Sequence, residues 1–220
     1  MGRARRLLAA DMDSTMITVE CIDELADYAG VKAEVAVVTE QAMRGELDFE
    51  AALDARVALL RGLDEAAIDR CREERVKLMP GARALVRTMR ANGAFCLLVS
   101  GGFTRFAEPV AEAIGFDAVA ANRLDIADGR LAGTVSKPIF GAEGKLDAML
   151  EAAVRRGVDP GEILAVGDGA NDIPMLKAAG LGIAYRAKPV VAAAADARIA
   201  ANDLTALLWV QGYPRGEWVE

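Results

Sequence analysis

At 220 residues the chain has room for one α/β domain of ordinary size plus an insertion, with a core that needs no staples. Its 26 basic and 33 acidic residues give a net charge of -7, and no Lys/Arg run interleaves with aromatics, which argues against a nucleic-acid surface. The absence of histidine removes Ser-His-Asp triads, Cys-His pairs and His-ligated zinc, so acid-base work near neutral pH falls to carboxylates or lysine.

The basic start, Met1 to Arg6, is followed by only four apolar residues, too few for a secretory signal. No uncharged run approaches the roughly 18 residues of a spanning helix. A first strand is expected at about 5–10, ending in D-M-D-S-T from Asp11 to Thr15. From Ile17 to about Leu78 the pattern is helical throughout, cut at Gly30, Gly45 and Gly62 into four amphipathic helices. From Pro80 onward strands and helices alternate, which implies a parallel sheet. The spacing predicts a helix over 82–91, a strand over 94–99, a helix over 103–114 and short strands near 116–126. Asp128-Gly129 is a hairpin turn between LDIA and RLAGTV. A helix over 145–156, a strand over 163–167, a helix over 172–179 and a strand over 181–184 follow. The Ala-rich stretch 192–201 reads as a surface helix and turn. Cys21, Cys71 and Cys96 form no CxxC pair, are odd in number and sit in apolar-periodic segments, as reduced core thiols of a cytoplasmic protein do.

The expected architecture is therefore α/β: a Rossmann-like parallel sheet core over 1–16 and 79–220, with an all-helical cap over 17–78 inserted beside the active edge. A cap in that position can exclude water from the site beneath it.

Three acidic or glycine-rich clusters end apolar runs, where open α/β sheets bind ligands. Asp11 and Asp13 lie two apart, and carboxylates so close repel unless a cation joins them; oxygen-only ligands favour a hard ion such as Mg2+. Asp168 and Asp172, in GDGAND, supply further acidic groups. V-S-G-G-F places Ser100 and Gly101 at a strand-to-helix junction, where unpaired N–H groups suit a phosphate. Gly167-Asp-Gly169 is not a dinucleotide fingerprint, because Asp172 stands where a third glycine belongs. Lys145, at a helix start, opposes the local dipole and by composition alone would be a solvated lysine.

Those four motifs, in that order, resemble the haloacid dehalogenase superfamily. Within it, DMDST followed by Glu20, the helical cap, VSGGF, GDGANDIPML and the later DLTALL are similar to the phosphoserine phosphatase family, across essentially the whole chain. The resemblance implies Asp11 as nucleophile, forming an aspartyl-phosphate, and Asp13 as acid and then base. It implies Mg2+ held by the Asp11 carboxylate, the Asp13 carbonyl and Asp168, with Asp172 in support. Ser100, the Gly101 N–H and Lys145 would hold phosphate oxygens, and Asn171 would touch the substrate. Glu20 and Arg56, otherwise ordinary helix charges, would take the ammonium and carboxylate of O-phospho-L-serine. Met43 and Phe49 would close over it, although such residues are more commonly core. The implied partner is this small molecule alone, with no nucleic acid and no membrane, in a monomer or homodimer without a regulatory domain. Two rival activities stay open: a phosphotransferase to homoserine or a phosphatase for another small phosphomonoester, and a binding protein without turnover.

Overall fold

The computed structural model describes residues 4–220; residues 1–3, the start of the expected basic stretch and core, lie outside the description. The chain begins with β1 (Leu7–Asp11) and passes into α1 (Cys21–Ala29), α2 (Lys32–Met43), α3 (Phe49–Leu59) and α4 (Ala66–Arg75). It returns through α5 (Ala82–Ala91), β2 (Phe95–Phe103), α6 (Thr104–Ile114) and β3 (Ala118–Asn122), then makes the hairpin β4 (Leu124–Ala127) and β5 (Arg130–Val135). The last third comprises α7 (Ala142–Arg156), β6 (Ile163–Gly167), α8 (Ile173–Ala178), β7 (Leu181–Tyr185), α9 (Pro189–Ala194), β8 (Ala197–Ile199) and α10 (Ala206–Gln211).

Six strands form one sheet in the order β3-β2-β1-β6-β7-β8, and every neighbouring pair is parallel. The chain walks outward from β1 on one side and outward from β6 on the other, so the crevice beyond the carboxyl ends of these two strands is the switch point where such sheets bind ligands. Asp11 is the last residue of β1, and Asp168 follows β6 directly. All five residues of β1 are buried, because both sheet faces are covered. Alternation sorts them: Leu8 and Ala10 join the apolar cluster containing Met12, Leu98 and Phe106, whereas Leu7 and Ala9 join the one containing Met149 and Leu176.

The four helices α1 to α4 leave and rejoin the sheet through a single antiparallel bridge, Ile17 to Leu78. Gly30 ends α1 and Gly62 follows α3, both at positive φ, a backbone state that glycine adopts without strain. The β4–β5 hairpin reaches up to this insert. Gly62 donates its N–H to the Leu131 carbonyl, Leu131 to Leu63, and Glu65 to Gly129. Two ion pairs add to this, Lys137–Asp54 at 2.6 Å and Arg105–Asp69 at 3.3 Å.

Three expectations are corrected. Strand β2 runs on through Ser100-Gly101-Gly102 to Phe103, so helix α6 starts only at Thr104. Helix α7 begins at Ala142, which moves Lys145 inside its first turn. The stretch 192–201 is not helix and turn alone, since Ala197–Ile199 pairs with β7 as an edge strand; pairing at an open sheet edge overrides even the strong intrinsic helix preference of alanine. The three cysteines are free and buried. Among the described residues no helix is long and apolar enough to cross a membrane.

Candidate active site

Lys145 is not a solvated lysine. Its side chain is fully buried, with Nζ 2.5 Å from Asp11 Oδ1 and 2.7 Å from Asp172 Oδ1. Burial alone would lower its pKa, but the Asp11 and Asp172 carboxylates outweigh burial and hold the ammonium above its ordinary value. Asp172 turns its other oxygen to the N–H groups of Asp168, at 3.1 Å, and Gly169, at 3.0 Å. A Cβ at Gly167 would lie 2.4 Å from the Asp172 carboxyl carbon, so the end of β6 leaves room for that carboxylate only because it is glycine. Asp168 accepts a 2.9 Å hydrogen bond from the Thr15 hydroxyl.

One carboxylate oxygen from each of Asp11, Asp168 and Asp172 lies within 4.8 Å of the other two, and the Lys145 ammonium bonds two of the three carboxylates. Burial and the neighbouring Asp172 charge push Asp11 well above the usual carboxylate range, and burial raises Asp168 to about 6. An all-oxygen donor set with uncompensated negative charge fits a hard divalent cation such as Mg2+.

Across the crevice, Ser100 is buried and its Oγ accepts the Gly102 N–H at 2.9 Å. The loop is hemmed in on every side. A Cβ at Gly102 would meet Asp13 Oδ2 at 2.9 Å and Ser100 Oγ at 3.1 Å; one at Gly101 would meet Phe49 Cζ at 3.1 Å and Asn171 Nδ2 at 3.5 Å. Phe49, from the start of α3, also covers Gly141, where a Cβ would sit 3.0 Å from its ring. The insert therefore closes onto this loop through Phe49. Met43 ends α2 and is 70 % exposed; the nearest neighbours of Gly101 and Gly141 come from Phe49 and Asn171 instead.

Asp13 accepts the Cys21 N–H at 3.3 Å; burial, then the Glu20 charge, raise its pKa to about 7. Glu20 itself accepts a 2.6 Å hydrogen bond from the Ser14 hydroxyl, and Ser14 holds a left-handed backbone at φ 55. Arg56 is partly buried and spends its Nε on the Ala52 carbonyl of its own helix. Burial lowers its pKa, while Asp23, Glu20 and Asp13 act on it from a distance; among the described residues none forms an ion pair with it. Ser14, Thr15 and Asn122 are polar groups at the site that sequence reasoning did not assign. The hydroxyls directly after D-M-D were the available signal for the first two.

The family model for haloacid dehalogenase-like hydrolases matches residues 8–177. Phosphoserine phosphatase SerB2 of Mycobacterium tuberculosis is 48 % identical over 98 % of the chain, which spans 52 % of that protein. The phosphoserine phosphatase of a Polaromonas species is 46 % identical, over 92 % of this chain and 88 % of its own. A solved phospho-aspartyl intermediate analogue of phosphoserine phosphatase superposes with a TM-score of 0.87 at 37 % identity, covering 94 % of this chain and 98 % of the other. The chain spans about half the length of the M. tuberculosis relative. From the acidic end of β1 to the Asp168–Asp172 loop the matched span takes in the whole buried cluster, and the chain belongs to the haloacid dehalogenase-like hydrolase family.

Proposed function

We propose that the chain is a Mg2+-dependent phosphatase that hydrolyses O-phospho-L-serine to L-serine and phosphate through an aspartyl-phosphate on Asp11, the last step of serine biosynthesis. One observation carries the reading: Asp11 stands at the sheet's switch point, gripped by a buried Lys145, with Asp168 in the same 4.8 Å cluster. The names of the relatives support the substrate.

In the first half-reaction an Asp11 carboxylate oxygen attacks phosphorus while the bond to the serine oxygen breaks. Asp13, whose pKa of about 7 leaves a large protonated fraction at neutral pH, gives its proton to that oxygen. In the second, the Asp13 carboxylate takes a proton from water, the water oxygen attacks phosphorus, and Asp11 departs with its bonding pair. The Ser100 hydroxyl, the Gly101 N–H and Lys145 hold the phosphate oxygens throughout. Asp11, the Asp13 carbonyl and Asp168 would hold Mg2+, steadied by Asp172; when bound, the ion neutralises charge on the phosphoryl group.

The insert, 17–78, acts as the cap on a core of 1–16 and 79–220, and selects the substrate. Glu20 takes the ammonium and Arg56, whose terminal nitrogens are not committed to an ion pair, takes the carboxylate through parallel hydrogen bonds. Asn171 lies beside Gly101 on the substrate side, Phe49 excludes water from above, and Met43 completes the cover on closure. The partner is a small molecule, with neither nucleic acid nor membrane involved, and the buried free thiols suit a cytoplasmic, reducing compartment.

Phosphate release from a panel of small phosphomonoesters, with Mg2+ or EDTA, tests the reading. The expected result is a Mg2+-dependent preference for O-phospho-L-serine of about a hundredfold, equivalent to about 2.7 kcal/mol of transition-state discrimination. A different preferred phosphate would retain Asp11 chemistry and remove the roles of Glu20 and Arg56.

A further inference from the structure

We propose that Asn122 is a positioning residue that sets the geometry of the phosphate-binding loop through Ser100 and anchors the start of the helix that carries Lys145. The proposal rests on the phosphatase reading above. Asn122 closes β3 and is only 2 % exposed. Strand β3 pairs with β2 as far as Ser100–Ala121 and then skips to Phe103–Asn122, so Gly101 and Gly102 bulge out of the ladder. The Asn122 amide fills the place of the missing backbone bonds. Its Nδ2 donates to the Gly101 carbonyl at 2.9 Å and the Phe140 carbonyl at 2.9 Å, and its Oδ1 accepts the Phe140 N–H at 2.7 Å. Only one orientation of the amide satisfies all three, since two carbonyls require the NH2 and one N–H requires the oxygen.

The Gly101 carbonyl and the Gly102 N–H belong to one planar peptide unit. Fixing the first aims the second, which donates to Ser100 Oγ at 2.9 Å. The Asn122 amide thus acts through a single peptide plane on the Ser100 hydroxyl, which keeps its own proton for a phosphate oxygen. On its other side Asn122 holds both backbone groups of Phe140, one residue before Gly141, the N-cap of α7. The Phe140 ring packs against that helix's first turn, where a Cβ at Gly144 would lie 2.8 Å from Phe140 Cδ2. One buried side chain therefore joins the loop that presents Ser100 to the helix that presents Lys145. None of its hydrogen bonds reaches Asp11 or Asp13.

The test is a double-mutant cycle on kcat for O-phospho-L-serine, using Asn122→Asp, which keeps shape and acceptor but loses the donors, with Ser100→Ala as the second substitution. Asn122→Asp is expected to lower kcat by about 50-fold in the parent and by less than about tenfold in the Ser100→Ala background, because the two residues then act as a unit. The residue of the effect belongs to the Lys145 side. Equal losses in both backgrounds would make Asn122 a general structural residue and overturn the proposal. Circular dichroism and urea denaturation accompany each variant, and Asn122→Ala replaces Asn122→Asp if the latter does not fold; failure of both to fold also overturns it. A parent protein inactive on every phosphomonoester overturns the phosphatase reading and this proposal together, whereas an active parent with uncoupled losses overturns this proposal alone.

Discussion

Replacing Lys145 with methionine keeps the volume of the side chain and removes its charge, which isolates the electrostatic role of the residue. In the parent the ammonium sits 2.5 Å from Asp11 and 2.7 Å from Asp172, and none of the three side chains is more than 9 % exposed. Removing one partner of a buried pair leaves uncompensated charge and costs about 3–5 kcal/mol. With a urea m-value of about 3 kcal/mol/M, the unfolding midpoint should fall by about 1–1.7 M. The loss has a definite pH dependence. Asp11 already has a raised folded-state pKa, through burial first and the Asp172 charge second, and loss of the ammonium raises it further. A carboxylate raised in the folded state contributes stability that is present below its unfolded pKa and lost as pH rises through its folded pKa. Lys145→Met should accordingly show a larger deficit at a pH of about 8 than at about 5.5, as a proton takes the place of the ammonium. Urea titrations followed by circular dichroism at the two pH values, in EDTA, decide the matter. A deficit that is equal at both, or below about 0.3 M at the higher pH, would refute the account of Lys145 as the counter-charge of this cluster.

The Glu20 charge contributes to the raised pKa of Asp13, so Glu20→Gln should lower that pKa and move the alkaline limb of the kcat profile to lower pH, because Asp13 must be protonated to act as the acid. Ethyl phosphate, which needs the proton but has no ammonium for Glu20, is the substrate to use; an unmoved limb would show that Asp13 is not the group titrating. Protons compete with metal for Asp168, which burial raises to about 6. Calorimetric Mg2+ affinity should therefore fall by at least about tenfold per unit as pH drops below that value, with protonation of the raised Asp11 carboxyl adding to the loss, and Ca2+ should support turnover poorly. A flat profile down to a pH of about 4.5 would remove Asp168 from the ligand set. Gly167→Ala forces its Cβ to 2.4 Å from the Asp172 carboxyl carbon, which must displace Asp172 from Lys145 and from the Asp168 and Gly169 amides. Loss of activity beyond about 10²-fold is expected, together with a destabilisation of several kcal/mol; near-parental turnover would show that Asp172 is dispensable there.

The parts legible in the sequence are those set by local chemistry. L-L-A-A-D reads as a buried strand with an acidic tip, because the apolar run is too short for a helix and ends abruptly in polar residues. The same argument located β6 and the Asp168 loop, and turn glycines located the helix breaks in the insert. What local pattern did not carry was anything settled by partners distant in sequence. Lys145 carries no mark of burial in its neighbourhood; it is buried because Asp11, 134 positions away, and Asp172, 27 positions away, meet it there. The edge strand Ala197–Ile199 exists because β7 offers an unpaired edge, and no alanine-rich pattern announces that. The Asp128-Gly129 turn identified the β4–β5 hairpin but not its grip on the α3–α4 loop, where Leu131 exchanges hydrogen bonds with Gly62 and Leu63. That grip constrains any displacement of the insert. Residues 17–78 are contiguous in sequence, yet opening them away from Gly101 would either break the hairpin contacts or carry the hairpin along. The hairpin begins two residues after Asn122, so the insert's contacts and the Ser100–Gly102 loop meet at the carboxyl end of β3. Closure of Phe49 over Gly101 and the bracing of Gly101 by Asn122 are then two sides of one contact, one from above the loop and one from within the sheet.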